Sequence, residues 1–159
     1  MYAHIAPSYN ALHGAEQERK IRILLSLCSQ EFSTILDVGC ATAHLATFFS
    51  DKKYVGLDPC KELLAYVPKQ IQTICASGEH IPFMDASYDA VLSLTALHNY
   101  SDPLQGVREL FRVSKKLVFI GVLRKSAYHD SILAEIQLCA KSICRRTDIH
   151  DTLLFCHKL

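Results

Sequence analysis

Residues 35–45 have the sequence Ile35-Leu36-Asp37-Val38-Gly39-Cys40-Ala41-Thr42-Ala43-His44-Leu45. A hydrophobic run ends in an acidic residue and a glycine, and small residues then lead directly into a segment with helical spacing. In an open α/β sheet, ligands bind at the C-terminal ends of the strands, where small residues let the backbone approach them. The stretch therefore predicts a strand, a turn at a nucleotide-type site and a helix.

The same alternation continues on both sides of this stretch. Short apolar, β-branched runs predict strands buried on both faces at Thr34–Val38, Tyr54–Leu57, Ile71–Cys75, Tyr88–Leu94 and Lys116–Leu123. Between the strands, apolar residues recur with helical spacing, in groups that begin at Ile21, Leu45, Leu63 and Leu104. Strand and helix alternate, so we expect an α/β fold with a doubly wound, mostly parallel Rossmann-like sheet.

The C-terminal residues have a different pattern. Ser126–Cys139 is predicted to be a helix, and the remainder of the chain is too short for another βαβ unit. Ser142–Thr147 and Thr152–His157 can pair as antiparallel strands across a polar turn. We therefore expect one domain over residues 1–159, with an N-terminal helical segment (1–30), a ligand-binding core (34–123) and a C-terminal helix and strand pair (126–159).

Composition excludes several classes of protein. The chain has 159 residues, 50% of them hydrophobic and 21% charged, which suits a single packed core. With 17 Lys and Arg against 16 Asp and Glu, global charge does not indicate nucleic-acid binding, although a local patch could still provide it. The longest clean apolar run, Leu117–Leu123, is far too short to span a membrane, and the N-terminus lacks an export pattern. We expect no membrane association and a cytoplasmic location.

The seven cysteines form an odd set without a Cys-x-x-Cys pair. Several lie inside apolar runs, such as Ile74-Cys75-Ala76 and Leu138-Cys139-Ala140. This pattern favours reduced thiols buried in the core over a disulfide scaffold or a zinc site. The histidines show no metal-ligand spacing either, so we expect no metal.

The turn after the first strand lacks the motifs of diphosphate sites. A dinucleotide fingerprint requires Gly at 39, 41 and 44, but the chain has Ala41 and His44, and no Walker loop is present. Asp58 ends the second strand 19 residues after Gly39, where a carboxylate can accept hydrogen bonds from the ribose of NAD or another adenosine ligand. Alternatively, Asp37 could cap the turn and Asp58 the helix that begins near Cys60.

Six short motifs occur in a recognisable order and spacing between residues 34 and 123. They are Leu36-Asp37-Val38-Gly39-Cys40, Gly56-Leu57-Asp58, Ala76-Ser77-Gly78-Glu79-His80-Ile81-Pro82-Phe83, Ser87-Tyr88-Asp89-Ala90-Val91, Ala96-Leu97-His98 and Arg108-Glu109-Leu110-Phe111-Arg112-Val113. Together they resemble the class I S-adenosylmethionine-dependent methyltransferases, specifically the methyltransferase domain called type 11. The resemblance implies a seven-stranded sheet of order 3-2-1-4-5-7-6 with an antiparallel last strand.

The resemblance also implies S-adenosylmethionine as cofactor, S-adenosylhomocysteine as product, and a role for each matching residue. The methionine moiety would lie beside Asp37, Gly39 and Ala41. The ribose would be bound by Asp58, and the adenine by Pro59, Cys60, Ser77, Gly78 and Glu79. The methyl-transfer face would be lined by Leu94 to His98. The chain departs from the family pattern in having Ala41 and Ala43 where Gly is usual, Ser77 where Asp is frequent, and no Lys-Pro-Gly-Gly turn before the fifth strand.

Two residues are candidates for catalysis. The leader Met1–Lys20 resembles the lids of such enzymes, in which Tyr9 would approach the methyl group; a plain covering helix is the alternative. His98 follows the fourth strand and either faces the substrate or is satisfied by Asp102. Methyl transfer relies mainly on positioning, so a base is required only when the acceptor must lose a proton early.

Three functions are compatible with these residues. The first is methyl transfer to an unidentified acceptor, and the second is a cofactor-binding module that needs or regulates a partner subunit. An NAD-dependent reductase is a distant third, disfavoured by Ala41 and His44. The chain shows no aromatic-basic platform and no Asn-Pro-Pro-Phe/Tyr motif after strand four, which disfavours that motif's chemistry on a nucleobase or glutamine amide. A small molecule, or a macromolecule presented by a partner, remains open as acceptor.

Overall fold

A computed structural model describes residues 8–159 and has a seven-stranded sheet at its centre. Its strands are β1 (Thr34–Val38), β2 (Lys53–Asp58), β3 (Gln72–Cys75), β4 (Tyr88–Leu94), β5 (Ser114–Leu123), β6 (Ala140–Thr147) and β7 (Asp151–Lys158). The strand order is 3-2-1-4-5-7-6, which confirms the order implied by the family resemblance. All five strands predicted in the core are present, with their ends shifted by at most two residues.

Strand β7 is the one that runs against its neighbours. It pairs antiparallel with β5 and with β6, whereas β1 to β5 pair in parallel. The predicted antiparallel pair is confirmed, because a tight turn between β6 and β7 suffices for it. As a result, the ends of β1, β2, β4, β5 and β6 and the start of β7 all lie at one edge of the sheet.

Helices cover both faces of the sheet, as the alternating pattern predicted. They are α1 (Tyr9–Ser26), α2 (Lys61–Leu64), α3 (Pro103–Val113) and α4 (His129–Cys139). Residues Ile21 and Leu24 of α1 pack on one face with the 3₁₀ helix His44–Phe49, while α3 and α4 pack on the other. Helix α4 begins three residues later than predicted, because Ser126 lies in a turn in which its Oγ accepts a hydrogen bond from the amide of Tyr128 at 3.1 Å.

The cysteines are unpaired thiols, but they are not all buried as predicted. Cys40 and Cys156 lie in the core, whereas Cys75 and Cys144 are exposed. The prediction was wrong at Cys75 because β3 is an edge strand with one open side, which a local run of apolar residues does not reveal. Within residues 8–159, no helix is long and apolar enough to cross a membrane. Those residues also contain no cluster of three or more side chains suited to a metal ion.

Candidate active site

A cavity of about 740 Å³ opens at the sheet edge where β1, β2 and β4 end. Its size is within the range of small-molecule and cofactor sites. Ten of the twelve predicted site residues line it, namely Tyr9, Gly39, Ala41, Asp58, Pro59, Cys60, Ser77, Glu79, Leu94 and His98. The structure therefore brings together residues from five separate segments of the chain.

The other two predicted residues lie behind the cavity wall. Asp37 lines a smaller cavity of about 30 Å³, which shares Tyr9, Gly39, Ala41 and Leu94 with the large one. Gly78 is buried, and a Cβ atom there would lie 2.1 Å from the Tyr100 hydroxyl. Gly78 thus makes room for a neighbouring ring and does not itself line the cavity.

The turn after β1 adopts backbone angles that L-residues rarely take. Gly39 has φ of 84°, and a Cβ atom there would lie 2.6 Å from the Cβ of Ala96, so only glycine fits. Ala41 and Ala43, which stand where the family usually has glycine, have φ of 51° and 54°. Both alanines therefore keep the glycine conformation, at a cost of about 1–2 kcal/mol each.

The carboxylate of Asp58 is held by two backbone amides. Its Oδ1 accepts a hydrogen bond from the amide of Cys60 at 2.8 Å, and its Oδ2 accepts one from the amide of Ala41 at 2.9 Å. Asp58 is 7% exposed, and burial raises its pKa although both hydrogen bonds oppose the change. Capping and ligand binding are compatible here, because each carboxylate oxygen has a second lone pair.

Asp37 lies deeper in the protein and is the more perturbed of the two acids. Burial raises its pKa to about 7, the nearby charge of Asp58 acts in the same direction, and a 2.6 Å hydrogen bond from the Tyr54 hydroxyl opposes both. In the ligand-free protein Asp37 is therefore close to its titration midpoint near neutral pH. A positively charged ligand would favour its ionised form.

The segment after β3 is fixed by hydrogen bonds around Glu79. Ser77 Oγ donates to Glu79 Oε2 at 3.1 Å, and Glu79 Oε1 accepts from the amide of Asp102 at 2.7 Å. This network connects the β3 side of the cavity to the start of α3. Ser77 and Glu79 consequently face the cavity in one fixed arrangement.

His98 is half-buried in a 3₁₀ turn after β4. Its Nδ1 atom is buried and has no hydrogen-bond partner among the described residues. Asp102 forms no hydrogen bond to Nδ1. It instead caps α3, where its Oδ1 accepts a hydrogen bond from the amide of Gln105 at 3.0 Å. Burial lowers the pKa of His98, Lys20 acts in the same direction, and Asp151 opposes them. The imidazole is therefore mostly neutral at pH 7.

A buried ion cluster behind His98 was missed in the sequence. Lys20 of α1 has no solvent exposure, and its Nζ lies 2.5 Å from Asp151 Oδ2 and 2.6 Å from Glu16 Oε1. Lys20 also donates to Thr95 Oγ1 at 2.8 Å, and the Thr95 hydroxyl donates to Asp151 Oδ1 at 3.1 Å. The i,i+4 spacing of Glu16 and Lys20 was visible in the sequence. Asp151 is 131 residues from Lys20 and joins them only through the fold.

Helix α1 reaches over the cavity from the N-terminal side. Tyr9 at its start lines both cavities, and Asn10 is hydrogen-bonded to Thr42 in the turn after β1. Glu18 Oε1 lies 2.8 Å from His44 Nε2 in the following helix. The predicted leader helix is therefore present from Tyr9 onward, and Met1–Pro7 lie outside the described residues.

The family follows from comparison with known proteins. Residues 36–120 match the methyltransferase domain family, and this match covers more than half of the chain. The protein belongs to the methyltransferase domain family. The turns that follow β1, β2 and β4 all lie within the matched residues.

Sequence relatives agree with this membership, and solved structures share the fold. The domain is 30% identical over 111 residues to an uncharacterized methyltransferase, YcgJ, of Bacillus subtilis, over 64% of this chain and 44% of YcgJ. The chain spans about half the length of the first curated relatives that it matches. Its fold is similar to that of a S-adenosylmethionine-dependent methyltransferase of Thermotoga maritima described as a possible histamine N-methyltransferase, with a TM-score of 0.75, 11% identity, and coverage of 99% and 97% of the two chains.

A third neighbour is a protein of Haloferax volcanii, described as the putative methyltransferase in a complex with the Trm112 methyltransferase activator. The two folds align with a TM-score of 0.76 and 14% identity, covering 99% of this chain and 97% of the other. At this identity the likeness shows a shared fold. The methyltransferase domain described here has the complete strand order of that fold.

Proposed function

We propose that this protein binds S-adenosylmethionine in the 740 Å³ cavity and transfers its methyl group to an acceptor held at the His98 side. The observation that carries the proposal is the convergence of Gly39, Asp58 and His98 on one cavity within the matched family region. Membership of the family supports methyl transfer in general. The particular residues and the acceptor are inferences from this geometry.

The residues present fit this cofactor. Asp58 has free lone pairs for two ribose hydroxyls, and Asp37 can balance a positively charged methionine end from the smaller cavity. Pro59, Cys60, Ser77 and Glu79 surround the part of the cavity next to β2 and β3, where an adenine would lie. When bound, S-adenosylmethionine supplies an electrophilic methyl group on a sulfonium.

The chain's own residues position the acceptor and exclude water. Leu94 and Ala96 make the wall near the methyl-transfer face apolar, and Tyr9 covers it from α1. His98 lines the cavity and is mostly neutral at pH 7, so its imidazole can accept a proton from an acceptor that must lose one. Much of the rate would come from alignment in a closed site.

A second candidate function is a cofactor-binding module that works with a partner subunit. The Haloferax methyltransferase of this fold was solved together with an activator protein. In that case the isolated chain would bind S-adenosylhomocysteine but would methylate only in the presence of its partner.

Calorimetric titration with S-adenosylhomocysteine and with NAD tests the cofactor. We expect binding of the first and none of the second, because the 39–44 turn lacks the dinucleotide glycines. Tighter binding of NAD would overturn the proposal in favour of a reductase.

Asp58→Ala tests whether this carboxylate binds the ribose. It should weaken S-adenosylhomocysteine binding by about 1.5–3 kcal/mol, as expected for the loss of hydrogen bonds to a charged acceptor. A residue that only caps the turns would instead lower the free energy of unfolding by about 1 kcal/mol and leave affinity unchanged. Asp51→Ala, at an exposed carboxylate away from the cavity, is the control.

A further inference from the structure

The sheet edge beside the cavity carries a cluster of positive charge that the proposed cofactor site does not use. We define the basic edge as Arg124 and Lys125 after β5, and Arg145 and Arg146 near the end of β6. All four side chains belong to exposed residues. Because β5 and β6 run in the same direction, both pairs lie toward the sheet edge at which the cavity opens.

The basic edge begins next to the cavity wall. Thr95 lines the cavity and donates a hydrogen bond to Asp151, the first residue of β7. The carbonyl of His150, one residue earlier, accepts a hydrogen bond from the amide of Arg124 at 2.9 Å. On the far side of β7, Arg145 pairs with Leu154 and Arg146 pairs with Leu153, which belong to the two opposite faces of the sheet. The two arginine side chains therefore leave the edge strand β6 on opposite sides.

The positive charge of this edge is not neutralised locally. Among residues 8–159, no carboxylate forms an ion pair with these four side chains, and Arg146 donates to the carbonyl of Arg145. The nearby acids Asp148 and Asp151 are already paired, with Arg19 and Lys20. A third nearby acid, Asp130 at the start of α4, pairs with His129 and not with a residue of the basic edge.

The opposite side of the cavity has the opposite charge. Glu62 and Glu79 line the wall next to β2 and β3. A polyanion would therefore be repelled from that side and attracted to the β5 and β6 side. The two sides of the cavity mouth therefore differ in charge, although the formal net charge of the chain is only +1.

An exposed aromatic ring accompanies the charge. Tyr128 is 47% exposed. It lies in the turn closed by the hydrogen bond from the His129 amide to the Ser126 carbonyl, directly after the turn that contains Arg124 and Lys125. Ile149 is the large apolar residue exposed on the neighbouring β6–β7 turn. One aliphatic side chain gives little to insert into a bilayer, whereas a ring beside cations suits a base and its phosphates.

We propose that the basic edge and Tyr128 bind a single-stranded nucleic acid whose bound nucleotide is presented to the cavity. The inference that a nucleotide is the methyl acceptor rests on the proposed methyl transfer. The inference that this surface binds nucleic acid does not depend on it. The sequence showed no aromatic-basic platform because Arg124 to Tyr128 and Arg145 to Arg146 come from separate segments. The fold brings both segments to the same end of the sheet.

The test measures fluorescence anisotropy of a labelled 15-nucleotide oligouridine against the whole chain at several salt concentrations. Four phosphate contacts predict a slope of log K against log salt of about −3. Arg145→Glu with Arg146→Glu should lower the affinity roughly tenfold or more and reduce the slope by about 1.4. Arg124→Glu with Lys125→Glu should act in the same way.

Control variants distinguish a local effect of the basic edge from an effect of the net charge of the protein. Lys53→Glu with Lys69→Glu makes the same change in net charge at exposed residues near the starts of β2 and β3, and should leave binding unchanged. Tyr128→Ala should weaken binding by about tenfold, and Tyr128→Phe should restore it, because the ring face stacks on a base. S-adenosylhomocysteine affinity, measured on every variant, should stay constant.

Three results would overturn the inference. They are no binding of the oligonucleotide by the unaltered protein, equal losses in the control double variant, or binding only to phosphatidylserine vesicles, which would indicate a membrane surface. Binding of the oligonucleotide without any binding of S-adenosylhomocysteine would sustain the nucleic-acid surface and refute the proposed function.

Discussion

Asp37 is a buried acid whose ionisation affects the stability of the fold near neutral pH. Its pKa of about 7 is raised mainly by burial, so the folded protein holds a proton that the unfolded chain loses near its ordinary, lower value. Between about pH 4 and pH 7, the folded state binds more protons from this group than the unfolded state does. The contribution of Asp37 to the free energy of unfolding therefore decreases as pH rises through that window.

Asp37→Asn should remove this dependence. Relative to the unaltered protein, the variant should gain in free energy of unfolding between pH 5 and pH 7.5, as measured by urea titration at each pH. Parallel stability curves for the two proteins would show that Asp37 is already ionised in the fold. Asp85→Asn, at an exposed carboxylate outside the cavities, is the control.

Ala43 is strained by its positive φ of 54° and lines neither cavity. Ala43→Gly should stabilise the protein by up to about 1.5 kcal/mol, since relief of strain by about 1–2 kcal/mol is offset by an entropy cost of about 0.5–1 kcal/mol. Ala46→Gly, three residues later in the 3₁₀ helix, should instead destabilise by about 1 kcal/mol. Thermal melts of both variants decide the sign, and equal losses would argue against strain at Ala43.

Among the elements, α1 is attached to the sheet by charge as well as by apolar packing. Lys20 connects it to Thr95 at the end of β4 and to Asp151 at the start of β7. Both Lys20 and Asp151 are fully buried. Loss of Lys20 would leave the buried carboxylate of Asp151 without an opposite charge.

Lys20→Met should lower the free energy of unfolding by about 3–5 kcal/mol. Adding Asp151→Asn should recover part of this loss, because the stranded carboxylate is then removed. Lys52→Met is the matched control, since Lys52 pairs with an Asp51 that is 71% exposed, and it should cost less than about 1 kcal/mol. Additive losses in the double variant would mean that the two side chains do not interact.

At the scale of the whole molecule, α1 has two parts with different roles. Residues 9–14 approach the cavity and the turn after β1, whereas residues 16–24 belong to the ion cluster and the core. Deletion of residues 1–20 would therefore remove Lys20 together with the segment over the cavity.

A truncation of residues 1–14 should keep the sheet folded and accelerate dissociation of S-adenosylhomocysteine, because an open site no longer retains the ligand. A truncation of residues 1–20 should in addition lower the melting temperature markedly. Stopped-flow dissociation and thermal melts on both proteins test this. An unchanged dissociation rate for the shorter truncation would make residues 1–14 a plain covering segment.

Local residue patterns determined much of this protein. The strands, their buried faces and the antiparallel pair follow from hydrophobic period and length. Gly39 and Asp58 were expected at one site because the ends of parallel strands converge, whereas Leu94 came from the family resemblance; all three line the cavity. The family resemblance supplied the strand order. Ala41 and Ala43 adopt the positive φ expected of glycine in this turn.

Only the tertiary structure decided the rest, because it depends on contacts between distant segments. Cys75 is exposed because β3 lies at an edge, and Gly78 is hidden because Tyr100 packs over it. The raised pKa of Asp37 comes from burial and from the charge of Asp58 nearby, which no local pattern encodes. The cluster of Lys20 with Asp151 and the basic edge likewise form where β5, β6 and β7 meet, because the fold sets the distances between charges that the sequence keeps far apart.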